Sequence, residues 1–329
     1  MIQDSIEDIH NNTIRQGKVF KKTLGKHFLH ANGESVVCSI SSKLRKELVY
    51  PEADPGSLHP SVVKVSDITE VDPVAIGDVV DFIDSGDGTG MIVNVRPRRN
   101  HLSRRAPGSK PLEQVIAANV DQIVAVCAAA QPKLKWNLLD RYLADAEFSE
   151  IPAVICITKI DLADESKLMP ELHVYEKLGY PVVLTSSVTQ KGLDEIKEVL
   201  EGRVTVFVGK SGVGKTTLLN AIQPGLGLKV NDVSEKTGKG KHTTSNLEMH
   251  ELDCGGHVID TPGMREFGLW GVKGNDIAEL FPEMRHHIGH CKFEQNCTHS
   301  HEPDCAIKDA VEAGQISERR YQSYLRLRK

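Results

Sequence analysis

Aromatic residues are scarce, with two tryptophans, six tyrosines and eight phenylalanines making up 5% of 329 residues. Any core must therefore be largely aliphatic. No apolar run approaches the length of about 20 residues that spans a bilayer, which excludes a helical membrane span. The start, Met1-Ile-Gln-Asp-Ser-Ile-Glu-Asp-Ile-His10, is acidic and lacks the charged-then-apolar pattern of an export signal. Seven cysteines, an odd number with three near the C-terminus, suit a reducing compartment better than a disulfide framework. A cytoplasmic, monomeric protein is expected. Cys38, Cys127, Cys156 and Cys254 stand in apolar or strand-like surroundings and read as packing residues.

Basic charge is also in deficit, since the net charge is −5. That sum argues against a nucleic-acid partner, but its distribution points the other way. One basic stripe runs from Arg96 to Arg105, a second comprises Lys236, Lys239 and Lys241, and a third comprises Arg319, Arg320, Arg326, Arg328 and Lys329. Each by itself is most simply a solvated face. Three together make an RNA partner the better expectation.

At the N-terminal end, segments 16–20, 27–30, 35–40, 77–82 and 89–95 read as short strands separated by Gly, Asn and Asp turns. Such a series suits a small Greek-key barrel of the OB type, and periodicity alone leaves an SH3-like barrel open. Phe20, Phe28 and Tyr50 are among the few rings available there for stacking, so contacts to RNA backbone and shape are expected rather than base readout.

The chemistry begins at Gly209-Lys-Ser-Gly-Val-Gly-Lys-Thr216, a complete Walker A loop between the apolar run Val204–Val208 and a helical segment, 216–222. A strand-to-helix turn of this kind wraps phosphates in backbone N–H groups at a helix N-terminus. Lys215 is expected on the β- and γ-phosphates and the Thr216 hydroxyl on Mg²⁺. Gly209, Lys210, Ser211, Gly212, Val213, Gly214 and Thr217 complete the nucleotide-binding set. A chance glycine-rich turn would lack the flanking strand and helix.

Upstream, the strand-like run 153–157 delivers Thr158-Lys-Ile-Asp161, the [NT]-K-x-D form. The Asp161 carboxylate can accept from guanine's ring N–H and exocyclic amine together, a pair that adenine does not offer. Lys159 would lie over the base. Thr185-Ser-Ser-Val188, with Ser186 and Ser187, stands where a short loop would meet the guanine carbonyl. Downstream, Asp260-Thr-Pro-Gly263 has the D-x-x-G form, with Asp260 expected to hold Mg²⁺ through water and the Gly263 amide to meet the γ-phosphate. Between them, Val230 to Ser245 is glycine-rich and basic. It reads either as a floppy loop or as a switch in which Thr243 or Thr244 reaches Mg²⁺. Base recognition preceding phosphate recognition means a circularly permuted GTPase.

Near the C-terminus, Cys291-x₅-Cys297-x-His299-x₅-Cys305 offers three thiolates and an imidazole, a closed tetrahedral set suited to one structural Zn²⁺. Free thiols in a small helical tail are the alternative.

With these motifs in order, the chain resembles the ribosome small subunit-dependent GTPase A family (RsgA, also called YjeQ). The likeness rests on Asn100-His-Leu-Ser-Arg104, Ile116-Ala-Ala-Asn-Val-Asp-Gln122, Leu139-Asp-Arg-Tyr-Leu143, Ser211–Lys215, Lys241-His-Thr-Thr244, Asp260-Thr-Pro-Gly-Met-Arg-Glu-Phe267 and the Cys/His cluster. The resemblance implies an OB-fold, a permuted GTPase domain and a zinc-binding domain acting late in small-subunit assembly, with GTP or GDP, Mg²⁺ and Zn²⁺ as ligands. The small subunit and its rRNA would be the partners. The family's first cysteine spacing is one residue shorter, so His290 and His301 stand as alternatives to His299.

The expected organisation is a flexible start (1–14), an OB-fold (15–100), a linker (101–113), the permuted α/β P-loop GTPase domain (114–272) and a mostly helical zinc domain (273–329). Met264 follows D-x-x-G where a water-orienting glutamine would help, so hydrolysis should be slow alone. His242 is the best resident substitute for positioning water, although a histidine there could equally face RNA, and the ribosomal partner would complete the site. The chain also leaves D-x-x-G directly for the metal cluster, so that segment is either a nucleotide-sensitive leash or a passive linker. The function expected is GTP hydrolysis stimulated by the small subunit. An RNA-docking module using GTP as a structural ligand is the binding-class alternative, and Asp161 speaks against an ATP-using enzyme.

Overall fold

The computed structural model describes residues 13–23, 25–47, 72–106, 113–228, 247–260, 272 and 276–328. Two compact units divide the chain, residues 1–119 with 246–249 and residues 120–245 with 250–329.

Alternation of buried and exposed residues builds the first unit. Strands β1 (Ile14–Thr23), β2 (Lys26–Ala31), β3 (Glu34–Ile40), β4 (Val79–Asp84) and β5 (Thr89–Val95) turn Val19, Leu29, Val36, Cys38, Val80, Phe82 and Ile92 inward. The β2–β3 hairpin turns on Asn32 and Gly33, with φ of 51° and 83°. Positive φ at both central residues is what a two-residue turn matched to strand twist requires. β1 pairs with β2, β2 with β3, and β4 with β1 and β5, all antiparallel, while β3 and β5 run parallel. This closes β1-β2-β3-β5-β4 into an OB-type barrel and resolves the alternative left open by periodicity. The short helix α1 (Ser42–Glu47) follows β3.

Residues 101–105, expected in a linker, form β6 (His101–Arg105), which pairs antiparallel with β7 (Glu113–Ala118). This hairpin lies in the first unit, whose boundary falls after Asn119 rather than near residue 114. Gly77 explains the close approach. A Cβ there would lie 2.1 Å from the Ala118 carbonyl oxygen, and its φ is +88°. The first residues of β12 (Leu247–Glu251) pair with β1, placing Lys21 opposite Glu248.

In the second unit, β8 (Gln122–Ala128), β9 (Ala153–Thr158), β10 (Val182–Leu184), β11 (Val204–Val208) and β13 (His257–Asp260) form a parallel sheet ordered β10-β9-β8-β11-β13. β8, β9 and β11 are buried along their whole length, as parallel strands covered on both faces are. The helices are α2 (Trp136–Phe148), α3 (Glu165–Lys177), α4 (Leu193–Leu200) and α5 (Lys215–Ile222). Val126, Val154, Phe207, Leu218, Leu219 and Val258 form their aliphatic-rich core. The chain proceeds outward from β8 to β10, then returns beside β8 with β11. The carboxyl ends of these two strands mark the switch point where open α/β sheets bind ligands.

Short 3₁₀ turns over 276–280, 282–287 and 294–296 then lead to α6 (Ala306–Glu312) and α7 (Glu318–Leu327). They surround Ile277, Phe281, Met284, Ile307, Tyr321 and Tyr324 together with the three clustered cysteines. Among the described residues no helix is long and apolar enough to cross a membrane.

Candidate functional site

The phosphate loop leaves the central strand β11. A Cβ on Gly209 would lie 2.4 Å from the Val126 carbonyl oxygen of β8, so only glycine permits this approach. Gly212 and Gly214 have φ of 84° and 97°. That is the left-handed region, which a side chain strains. The loop thus curls on its glycines and hands over to α5. The Lys215 ammonium donates to the Gly209 carbonyl at 2.7 Å, lying back within the loop it is expected to serve. Thr216 is half-buried in the first turn of α5.

The base motif stands against this loop. Thr158, the last residue of β9, donates its hydroxyl to the Val213 carbonyl, and Lys159 donates its ammonium to the Gly212 carbonyl at 2.8 Å and to the Gln131 carbonyl. Lys159 itself is at φ 56°, so the chain turns sharply after β9 and swings its side chain over the phosphate loop. The Ser186 hydroxyl donates to Asp161 Oδ1 at 2.5 Å, which orients the exposed carboxylate. The Ile160 amide also donates to the Thr185 carbonyl at 3.2 Å, tying the serine loop to the base motif. Half-buried Ser187 precedes Val188, which is 82% exposed. Asp161, Ser186, Lys159 and the phosphate loop therefore come together at one sheet edge, although they lie on both sides of β11 and β10 in the chain order.

Asp260 ends β13 opposite Phe207 of β11, at the same carboxyl edge. His242, Thr243 and Thr244, within 229–246, and Gly263, within 261–271, lie outside the described residues.

Cys291, Cys297, His299 and Cys305 are all buried, with ligand atoms within 4.8 Å of one another. Cys291 Sγ lies 3.8 Å from Cys305 Sγ, and His299 Nδ1 lies 3.4 and 3.5 Å from these two sulfurs. A tetrahedral zinc with about 2.3 Å bonds to sulfur and about 2.1 Å to nitrogen requires S···S near about 3.8 Å and S···N near about 3.6 Å. The donor set fits. His290 and His301 are exposed, and His301 Nδ1 instead meets the Ser300 hydroxyl at 3.0 Å.

Glu302, which sequence reasoning passed over, organises this loop. Its carboxylate accepts from the amides of Thr298 (2.9 Å), Ser300 (3.0 Å) and His301 (3.1 Å) and from the Thr298 hydroxyl. Burial works against its charge, but these hydrogen bonds prevail and hold its pKa well below the carboxylate range. A glutamate inside a Cys/His cluster was the available signal. Glu302→Ala is expected to weaken zinc retention by about 10–100-fold, as loss of residues supporting metal ligands does. Chelator competition on the purified protein measures this, and unchanged retention would remove Glu302 from that role.

Several arginines of the basic stripes are committed to partners within the protein. Arg98 makes a two-pronged pair with fully buried Asp78 at 2.8 and 2.9 Å, Arg96 pairs with Asp81, and Arg104 donates to Gln114 across β6 and β7. Arg320, 1% exposed, pairs with Asp140 and Glu283, and Arg319 with Asp140 and Glu171. These arginines hold structure together. Their partners lie far along the chain, so a local charge count could not assign them.

A phosphate loop and a [NT]-K-x-D loop on one parallel sheet, with the base motif first in the chain, define a circularly permuted P-loop GTPase fold. A family model described as RsgA GTPase matches residues 95–270. A small ribosomal subunit biogenesis GTPase RsgA of Phocaeicola vulgatus is 39% identical over 267 residues, 80% of this chain and 86% of that protein. Another so named, from Gemmatimonas aurantiaca, is 42% identical over 240 residues, 73% and 78% of the two chains. The crystal structure of YjeQ from Thermotoga maritima matches with a TM-score of 0.72 at 30% identity, over 96% of this chain and 98% of that one. YloQ, described as a circularly permuted GTPase, matches with a TM-score of 0.69 at 30% identity, over 97% and 96%. The chain belongs to the RsgA GTPase family.

Proposed function

We propose that this protein hydrolyses GTP to GDP and phosphate as a biogenesis factor of the small ribosomal subunit, acting in the cytoplasm. The observation that carries this reading is the clasp of Lys159 and Thr158 on the phosphate loop, which sets a guanine-reading carboxylate and a phosphate cradle at one sheet edge. Asp161 selects guanine, with Ser186 orienting it and Ser187 in the adjoining loop. Gly209 to Thr217 cradle the phosphates, and Lys215 leaves its carbonyl partner for their charge. Thr216 and Asp260 would hold Mg²⁺, whose chemistry there is to neutralise charge developing on the phosphates. Thr243 or Thr244 and Gly263 close on the γ-phosphate, and His242 positions the attacking water in place of Met264. Zinc at Cys291, Cys297, His299 and Cys305 serves the fold.

The barrel and the metal-binding region dock on rRNA, and the subunit completes a site that is slow by itself. GTP turnover with and without purified small subunits tests this. Strong stimulation is expected at about 50 mM salt and much less at about 200 mM, because phosphate contacts weaken steeply over that range. Equal turnover with and without subunits would remove the stimulation, and absence of turnover in both would leave GTP as a structural ligand only.

A further inference from the structure

Among the described residues, the metal-binding region meets the nucleotide domain at a buried cluster around Asp140 of α2 as well as at the Arg285–Glu147 pair, and the connection into α2 is where the guanine motif is clasped. The β8–α2 connection is held to the base loop by two bonds, from the Ala129 amide to the Thr158 carbonyl at 2.8 Å and from the Lys159 ammonium to the Gln131 carbonyl. Five residues after Gln131, Trp136 opens α2. Its ring stacks on Tyr175 of α3 (5.9 Å, 22°), with the Arg319 guanidinium 5.1 Å from its centre. One turn along, fully buried Asp140 accepts from the Tyr175 hydroxyl at 2.6 Å, Arg319 at 2.9 Å and Arg320 at 2.8 Å. Both arginines belong to α7. α7 also carries Tyr321 and Tyr324, whose hydroxyls donate to the carbonyls of His299 and Thr298 at 2.8 Å each. From Lys159, expected over the base, to the backbone of His299, the route consists of the β8–α2 connection, α2, α7 and the hydrogen bonds between them.

We propose that α2 acts as a strut coupling occupancy of the guanine pocket to the metal-binding loop, through the base and not through the γ-phosphate. The proposal rests on the reading of the two sites given above. Separating α7 from α2 would strand buried charges on both helices, so the two shift together. A base beneath Lys159 fixes its ammonium and, through the Gln131 carbonyl, the start of α2. That order reaches Asp140, α7 and the His299 loop. GDP and GTP share the base, so both should act alike. A leash running through the D-x-x-G segment would instead distinguish them. Coupling is reciprocal, so the metal should tighten nucleotide binding by the factor by which nucleotide tightens the metal.

The test measures zinc release from the full chain to a chromogenic chelator without nucleotide, with GDP, with a non-hydrolysable GTP analogue and with ADP. GDP and the GTP analogue are expected to slow release equally, within the range of about 5–150-fold typical of coupled sites, while ADP has no effect. The variant Arg319→Gln should bind zinc and GDP yet lose the GDP effect, and Arg319→Lys should restore part of it. If Arg319→Gln does not fold, Trp136→Leu removes the stack and the cation–π contact without stranding a charge, and should show the same loss. Slowing by the GTP analogue alone, or retention of the GDP effect in the folded variant, would overturn the strut. Direct GDP binding and zinc content on the same samples separate this from the functional reading: failure to bind either ligand removes both proposals, whereas binding of both without coupling removes only the strut.

Discussion

Asp161→Asn is expected to lower GTP affinity by about 10²–10⁴-fold and to raise relative affinity for xanthosine triphosphate. Two charge-assisted hydrogen bonds to guanine are lost, each worth roughly 1.5–3 kcal/mol. The Ser186 hydroxyl, 2.5 Å from Oδ1, can still donate to the amide oxygen of the variant, and this turns the new NH₂ toward the base. Xanthine presents a carbonyl where guanine presents its amine, so the donor now meets an acceptor. Equilibrium binding of both nucleotides to the variant and the parent protein measures the exchange. An unchanged preference for GTP would remove Asp161 from the pocket.

Asp145→Asn should stabilise the protein in a pH-dependent way. Asp145 lies in α2, 6% exposed, and its Oδ2 has no hydrogen-bond partner among the described residues. Burial raises its pKa from 3.8 to about 7, with the charge of Arg141 opposing. Because the folded-state value is raised, the folded state favours the protonated acid. That contribution is complete below about pH 4 and is lost as pH rises through about 7. The amide variant, which never ionises, should therefore be similar to the parent near pH 4 and more stable near pH 8, by about 2–4 kcal/mol at roughly 1.4 kcal/mol per unit. A unit of this size gains about 2–4 °C per kcal/mol, so melting curves at the two pH values resolve the effect. Equal melting temperatures at pH 8 would show that Asp145 is solvated or partnered in solution.

Local grammar made much of the fold legible. Strand, glycine turn and helix around 204–222 dictate a phosphate loop because the conformations needed are those that Gly209, Gly212 and Gly214 alone adopt without strain. Alternation along 16–40 and 77–95 foretells barrel strands, since one inward face must be apolar. It cannot say which strands close the barrel. The pairings of β3 with β5 and of β4 with β1 decide that, and they join segments distant along the chain. The switch residues His242, Thr243 and Thr244, expected from sequence, lie outside the described residues.

Residue types and their order along the chain pointed to the chemistry: a [NT]-K-x-D carboxylate ahead of a phosphate loop, then three thiolates and an imidazole at closed spacing. Tertiary structure alone decided how these residues are held. His299, rather than His290 or His301, faces the sulfurs because Glu302 folds the 298–301 backbone around its carboxylate. Arg319 and Arg320, which as a run of charge suggest a solvated face, instead pair with buried Asp140, Arg320 fully buried and Arg319 half-buried, because a salt bridge links residues by proximity in space and leaves no periodic mark on the chain. Gln131 acts through its backbone carbonyl, a group every residue carries, so no sequence signal could have singled it out.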